Sequence, residues 1–245
     1  MQILLNIGNT HSQIAKMTAN GVPELLAQLD SPALLAAQGA VELLDALSAD
    51  WQGLAVSVVP ALTGLLHNRY GDALRFLGPA DFPQLDFQRV DTSTLGMDRI
   101  ANAAAAHALA GRAVVVVDCG TAITLEAVDA DGRFMGGAIL PGRLLMRRSL
   151  AAYTAQLPLL SLQQQRPAAL GRCTREAMTA GMDLGAVGAV TYLLEQCRLE
   201  MGAADILCWA VGGDAAFFCD NVPELIPGPE YLTLRGVACS RHGAG

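Results

Sequence analysis

Four valines ending in an aspartate, Val114-Val115-Val116-Val117-Asp118, constrain this chain more than any other stretch. The run is apolar on both faces and β-branched, which suits a central strand covered on both sides. It stops at a carboxylate, and Cys119-Gly120-Thr121-Ala122 follows. Ile123 to Val128 reads as a second strand and Phe134 to Leu140 as a third, stopped by Pro141-Gly142. Between them, Asp129-Ala130-Asp131-Gly132 is a tight turn, because Asp and Gly tolerate the backbone angles of a reversal. The result is an apolar hairpin with Asp-x-Gly-Thr at its mouth. Backbone N–H groups exposed by a glycine, with one hydroxyl, can cradle a phosphate. A carboxylate beside them can hold the cation that travels with that phosphate.

The beginning of the chain repeats the device. Ile3-Leu4-Leu5-Asn6-Ile7-Gly8-Asn9-Thr10 is an apolar strand, a residue of carboxylate size, then Gly and Thr. Two such mouths imply two related halves, residues 1–111 and 112–245, each gripping the phosphates of one nucleotide from its own side. A third piece, Val211-Gly212-Gly213-Asp214-Ala215, ends a strand in paired glycines, where a base or ribose can approach the backbone.

Around these motifs strands and helices alternate, which implies an α/β architecture. Strands are expected over residues 1–5, 12–17, 25–29, 51–60, 73–77, 206–211 and 232–234. Helices are expected over 61–69, 100–110 and 144–154, and from Ser31-Pro32, where a hydroxyl cap precedes a proline. Thr174 reads as the N-cap of one long helix or of two, broken near Gly181 to Gly188. Residues 82–95 read as a loop that could line a cleft, and 241–245 as a disordered tail. Asp98 and Arg99 stand at the start of an Ala-rich helix. Asp98 in that place can be a simple cap, but a cation in the first turn opposes the helix dipole, so Arg99 has another task.

The chain is 52% hydrophobic and only 5% aromatic, so its core is built mainly of Ala, Leu and Val. A net charge of −7 and the absence of a basic stripe exclude a nucleic-acid partner held through phosphates. No apolar run reaches the roughly 18–20 residues of a membrane span, and the N-terminus enters a strand directly, without a leader segment. The six cysteines are scattered, with no metal-like spacing, and read as reduced residues of a cytoplasmic protein.

Taken in order, NIGNT (Asn6–Thr10), SVVP (Ser57–Pro60), LGMDR (Leu95–Arg99), DCGTAITLEAVDADG (Asp118–Gly132), GGAILPG (Gly136–Gly142), SLAAYTAQLP (Ser149–Pro158), TREAMTAG (Thr174–Gly181) and VGGDA (Val211–Ala215) resemble type III pantothenate kinases along nearly the whole chain. The resemblance implies the actin-like kinase superfamily fold, with two ribonuclease-H-like halves. It implies transfer of phosphate from ATP to pantothenate, the first step of coenzyme A synthesis, by a homodimer that uses Mg²⁺ and a monovalent cation, K⁺ or NH₄⁺. By the same resemblance Asp98 is the general base. Gly96, Arg99 and Thr174 bind the pantothenate, Thr174 by reaching the partner subunit's substrate. Asn6, Gly8, Asn9, Thr10, Gly120, Thr121, Gly212, Gly213 and Asp214 bind ATP and its phosphates, and Asp118 lies by the metal.

Two positions depart from the family pattern. Asn6 stands where the family carries an aspartate that helps organise Mg²⁺. Asn keeps an oxygen ligand and removes one negative charge, which implies a weaker metal site. The alternative reading of the same substitution is a catalytically weak paralogue that binds nucleotide or pantothenate and acts as a regulatory protein. Residues 90–94 also lack the tyrosine and proline that the family often places near its substrate.

Overall fold

The computed structural model describes residues 1–30, 33–47, 50–203 and 205–243. The chain packs as two units. The first comprises Met1–Gly111, Gly132–Phe134 and Tyr231–Gly245, the second Arg112–Asp131 and Met135–Glu230.

In the first unit, β1 (Gln2–Ile7), β2 (His11–Met17) and β3 (Pro23–Asp30) form an antiparallel meander. Helix α1 (Ala33–Ala46) leads to β4 (Gln52–Ser57), which returns parallel to β1. Helix α2 (Pro60–Tyr70) leads to β5 (Leu74–Phe76), parallel to β4. The strand order is therefore β3-β2-β1-β4-β5. Helix α3 (Met97–Ala110) follows the long loop expected from residue 82. Ile3, Leu5 and Ile7 of β1 pack with Leu44 of α1 and with Leu62 and Leu66 of α2. Each such buried side chain contributes about 1.5–3 kcal/mol of transfer free energy. The expected helix start at Ser31-Pro32 lies outside the described residues.

The second unit repeats the plan. β6 (Val114–Cys119), β7 (Ala122–Val128) and β8 (Phe134–Pro141) come first, then α4 (Arg143–Tyr153), α5 (Thr174–Met201), β9 (Leu207–Val211), α6 (Ala215–Asn221) and β10 (Ile226–Pro227). The sheet order is β10-β9-β6-β7-β8, the same succession as in the first unit. β6 is antiparallel to β7 and parallel to β9. Val115 and Val117 face a core built with Leu125, Val190, Leu194, Phe217 and Phe218. Val114 and Val116, on the opposite face, are equally buried. The central, doubly covered strand expected at the valine run is thus present.

Of four expectations, three are corrected and one, left between two alternatives, is decided. First, residues 232–234 are not a strand: α7 (Leu232–Ala238) is a helix that packs on α3 and β1 of the first unit. It is buried nearly all round, so it shows neither period clearly, and Thr233 Oγ1 pins it to Asn102 Oδ1 at 2.7 Å. The first unit is thus completed by the chain's last segment, which the sequence reading assigned to the second half.

Second, of the one helix or two expected from Thr174, the structure has one: α5 is unbroken. Space is open around Gly181, Gly185 and Gly188, while the opposite face is buried from Met178 to Leu194. Core packing on that face outweighs the cost of the glycines, about 1 kcal/mol each. Third, α5 is by length and composition long enough to cross a membrane, although 44% of its most apolar window is buried within the protein. It carries Asp183, fully buried and paired with Arg143 and Arg147. Fourth, the expected disordered tail is tied down through residue 242. Arg241 donates its Nε to Asp81 Oδ1 at 2.9 Å, and His242 Nε2 lies 3.0 Å from the same oxygen.

Gly236 of α7 tests this closure. A Cβ there would collide with the backbone carbonyl of Ala101 on α3. Gly236→Ala is therefore expected to lower stability by about 1–3 kcal/mol or more, measured by urea unfolding. An unchanged midpoint would contradict the tight α3–α7 seam.

Candidate active site

In the first unit β1 is the strand at which the sheet order reverses. Its Ile7 carbonyl accepts Val58 N at 3.0 Å on the β4 side. Gly8 N donates to His11 O at 3.1 Å and closes the turn to β2. That turn presents Asn9 and Thr10, and His11 beside it pairs with Asp30 at 3.0 Å. Asn6 sits between Gln13 of β2 and Val56 of β4. Its Oδ1 is buried and has no hydrogen-bond donor, an acceptor of the kind that a bound cation or its hydration water satisfies.

Asp98 reaches the same edge from α3. The N-cap of that helix is Gly96, so Asp98 is not the cap. Asp98 Oδ1 accepts the Arg99 backbone N–H at 2.8 Å. A Cβ on Gly96 would lie 2.6 Å from that oxygen and 3.5 Å from Val58 Cγ1. The missing side chain leaves room for the carboxylate and lets the start of α3 lie against the end of β4. Burial raises the Asp98 pKa above that of an ordinary aspartate, against the opposing pull of the Arg99 N–H and charge.

In the second unit the equivalent edge is the end of β6. Asp118 is in parallel register with Val211 of β9. The chain then turns at Gly212, whose φ of +90° only glycine adopts readily. A Cβ there would lie 2.6 Å from Asp118 Oδ1 and 2.8 Å from Cys119 O. Asp214 N donates to Cys119 O at 3.0 Å, which folds the Gly212–Asp214 loop over the mouth of the hairpin. Gly120, Thr121, Gly212 and Gly213 are exposed there. The Asp214 carboxylate, by contrast, turns inward and accepts Arg143 Nη1 at 2.7 Å. Burial raises its pKa, and Arg143 pulls it back.

Thr174 is exposed in the first turn of α5, whose N-cap is Cys173 rather than Thr174. The contacts that gather the β6–β9 edge do not include it. Nearby, Leu160, Gln163, Arg166, Arg172 and Arg175 line a cavity of about 710 Å³. The structure thus groups Asn6, Gly8, Asn9, Thr10, Gly96, Asp98 and Arg99 in the first unit. In the second it groups Asp118, Gly120, Thr121, Gly212, Gly213 and Asp214.

Several supporting residues escaped the sequence reading. Gly142 donates its N–H to Thr121 O at 2.9 Å, and a Cβ there would strike the carbonyl oxygens of Gly120 and Thr121. Arg143, Arg147 and Asp183 are buried beneath these loops. Two signals pointed to them. Arg143 and Arg147 have i, i+4 spacing, and Asp183 is the single charge between Ala177 and Leu194. Among the described residues no group of three or more His, Cys, Asp or Glu side chains converges as a metal cage.

The family model described as type III pantothenate kinase matches residues 2–196. The type III pantothenate kinase of Thermomicrobium roseum is 38% identical over 191 residues, covering 76% of this chain and 73% of that protein. That of Treponema pallidum is 32% identical over 262 aligned positions, covering 96% of this chain and 92% of that protein. Among solved structures, the inorganic polyphosphate/ATP-glucomannokinase of Arthrobacter sp. strain KM superposes with a TM-score of 0.53 at 14% identity, over 96% of each chain. That likeness concerns the fold alone, which is the actin-like kinase architecture of two five-stranded α/β sheets. With its motifs, topology and sequence relatives in agreement, the chain belongs to the type III pantothenate kinase family.

Proposed function

We propose that the protein transfers the γ-phosphoryl group of ATP to the hydroxyl of pantothenate. The product is 4′-phosphopantothenate, and the step opens coenzyme A synthesis. The observation that carries this reading is Asp98, a carboxylate of raised pKa held at the strand-end edge that also presents Gly8, Asn9 and Thr10. Its Oδ takes the proton of the pantothenate hydroxyl as that oxygen attacks. Arg99, next to it, draws in the anionic substrate, and Gly96 gives the pair its room. In the first unit the N–H groups and hydroxyls of residues 8–10 are suited to phosphate; in the second those of residues 120–121 are, and Gly212 and Gly213 let a nucleotide approach the backbone. Phosphoryl transfer asks little covalent chemistry of a protein, so positioning and charge neutralisation carry the rate.

The donor set fits a metal shared with phosphates rather than a protein cage. Asp118 in the second unit and the buried Oδ1 of Asn6 in the first are each an oxygen that would hold a cation, Mg²⁺ or a monovalent ion such as K⁺ or NH₄⁺. When bound, these ions neutralise charge on the phosphate oxygens. Supporting the homodimer is the outer strip of α5, where Thr174, Ala177, Gly181, Gly185, Gly188 and Tyr192 are exposed and uncharged. Small residues there let a second copy approach closely and bring Thr174 to its substrate. The six free cysteines suit a reducing cytoplasmic setting.

Purified protein given ATP, pantothenate, Mg²⁺ and K⁺ is expected to form 4′-phosphopantothenate. Asp98→Asn is expected to lower kcat by about 10²-fold or more. Folded protein that binds ATP without turnover would instead favour the regulatory paralogue. The base must be ionised, and its pKa is raised. The acid limb of kcat/KM is therefore expected above the pH at which an ordinary aspartate titrates, with activity falling as pH drops through it. A limb at the ordinary aspartate value would contradict the assignment. Asn6→Asp is expected to lower the Mg²⁺ concentration needed both for half-maximal rate and for thermal stabilisation by ATP. An unchanged requirement would remove Asn6 from the metal site.

A further inference from the structure

Four charged side chains lie buried beneath the loops of the second unit. Arg143 is the first residue of α4 and directly follows Gly142, whose N–H holds Thr121 O. Its guanidinium donates to three different segments. Nε reaches Asp183 Oδ1 of α5 at 2.9 Å, Nη1 reaches Asp214 Oδ1 at 2.7 Å, and Nη2 reaches the Gln163 carbonyl at 2.6 Å. Its carbon Cζ lies 3.3 Å from the centroid of the Phe217 ring in α6. The Arg143 side chain is wholly buried.

Neutralising Asp183 does not explain this placement. Arg147 already lies 2.8 Å from one Asp183 oxygen and 2.9 Å from the other through the same nitrogen. What Arg143 adds is the link to Asp214 and Gln163. The Gly212–Asp214 loop is then fastened at two points, by Asp214 N on Cys119 O and by the Asp214 carboxylate on Arg143. Because Arg143 is bound through its backbone neighbour to Thr121, one residue fixes both exposed loops of the β6–β9 edge. Only a planar fork with donors in several directions can do this, and a lysine ammonium on a flexible stem cannot reach the same three acceptors.

We propose that Arg143 is a positioning residue for nucleotide binding, holding the Gly212–Asp214 loop in register with the Gly120–Thr121 mouth. The same guanidinium anchors the segment through Gln163 that leads towards Thr174. The inference rests on the reading of these loops as ATP-binding.

The test is Arg143→Lys in the full-length protein. Steady-state kinetics would be supported by calorimetric titration with ATP. Leu194→Ala, a core truncation remote from the loops, serves as a stability control. The expected result is a rise of at least about ten-fold in KM and Kd for ATP, with a smaller fall in kcat. Leu194→Ala is expected to lower the melting temperature and leave ATP affinity unchanged. In an Asp214→Asn background, Arg143→Lys should add little, because the two act through one contact.

Unchanged ATP affinity in a folded Arg143→Lys protein would overturn the proposal. So would an equal loss in the Leu194→Ala control. Where the lysine variant does not fold, Asp214→Asn reads the same contact from the loop side, and an unchanged affinity there overturns it too. Wild-type protein that binds ATP but does not phosphorylate pantothenate refutes the proposed reaction, while ATP affinity still decides the role of Arg143. Wild-type protein that binds no ATP overturns the reading of the loops, and this inference with it.

Discussion

The structure depends on one topological constraint, met separately in each unit. A central strand is paired antiparallel to its hairpin partner on one side and parallel to a crossover strand on the other. At its carboxyl end the two connections must leave in opposite directions. The peptide groups at that end lose their ladder partners, and the loops that follow must satisfy them. Ligands of open α/β sheets bind at such switch points. Here β1 ends at Ile7 and β6 at Cys119, and the residues that follow are short, hydroxyl-bearing or glycine.

The buried charges of the second unit show what it costs to keep such loops in place. Arg143, Arg147, Asp183 and Asp214 sum to zero charge, and each is nearly or wholly removed from water. Desolvation of that many charges offsets much of their mutual attraction, so the cluster is weak as a source of stability. Its effect is geometric. A guanidinium with acceptors on three segments permits one arrangement of those segments, whereas an apolar plug of the same volume would permit several. Arg147 retains a buried Nε with no hydrogen-bond partner, a cost consistent with a cluster built for geometry rather than stability.

The two strand-end motifs were legible because their information is local. A doubly apolar valine run, a turn of Asp and Gly, and Gly and Thr at matching offsets can all be read within a short window. Asp98 was legible for a similar reason, since the Ala-rich helix behind it shows where its N-terminus falls. The rest depended on contacts distant in sequence. Helix α7 is buried on nearly every side, which erases the period that separates helix from strand. The glycines of α5 leave one helix or two open in the sequence, because the continuous core on its inner face cannot be seen from propensity. The tail was misread because its partner, Asp81, lies far back in the chain. Arg143 carried a spacing signal but no sign of its partners, which come from α5, from the loop before α6 and from the segment that contains Gln163.

On this reading the ends of the first and fourth strands of each sheet carry the ligand sites, a placement open to direct test. Hydrogen–deuterium exchange of the wild-type protein, with and without ATP and Mg²⁺, tests it most directly. ATP is expected to protect the amides of residues 8–10, 120–121 and 212–214, and pantothenate to add protection at 96–99. Protection confined to other surfaces, with these four segments unchanged at saturating ATP and pantothenate, would contradict it.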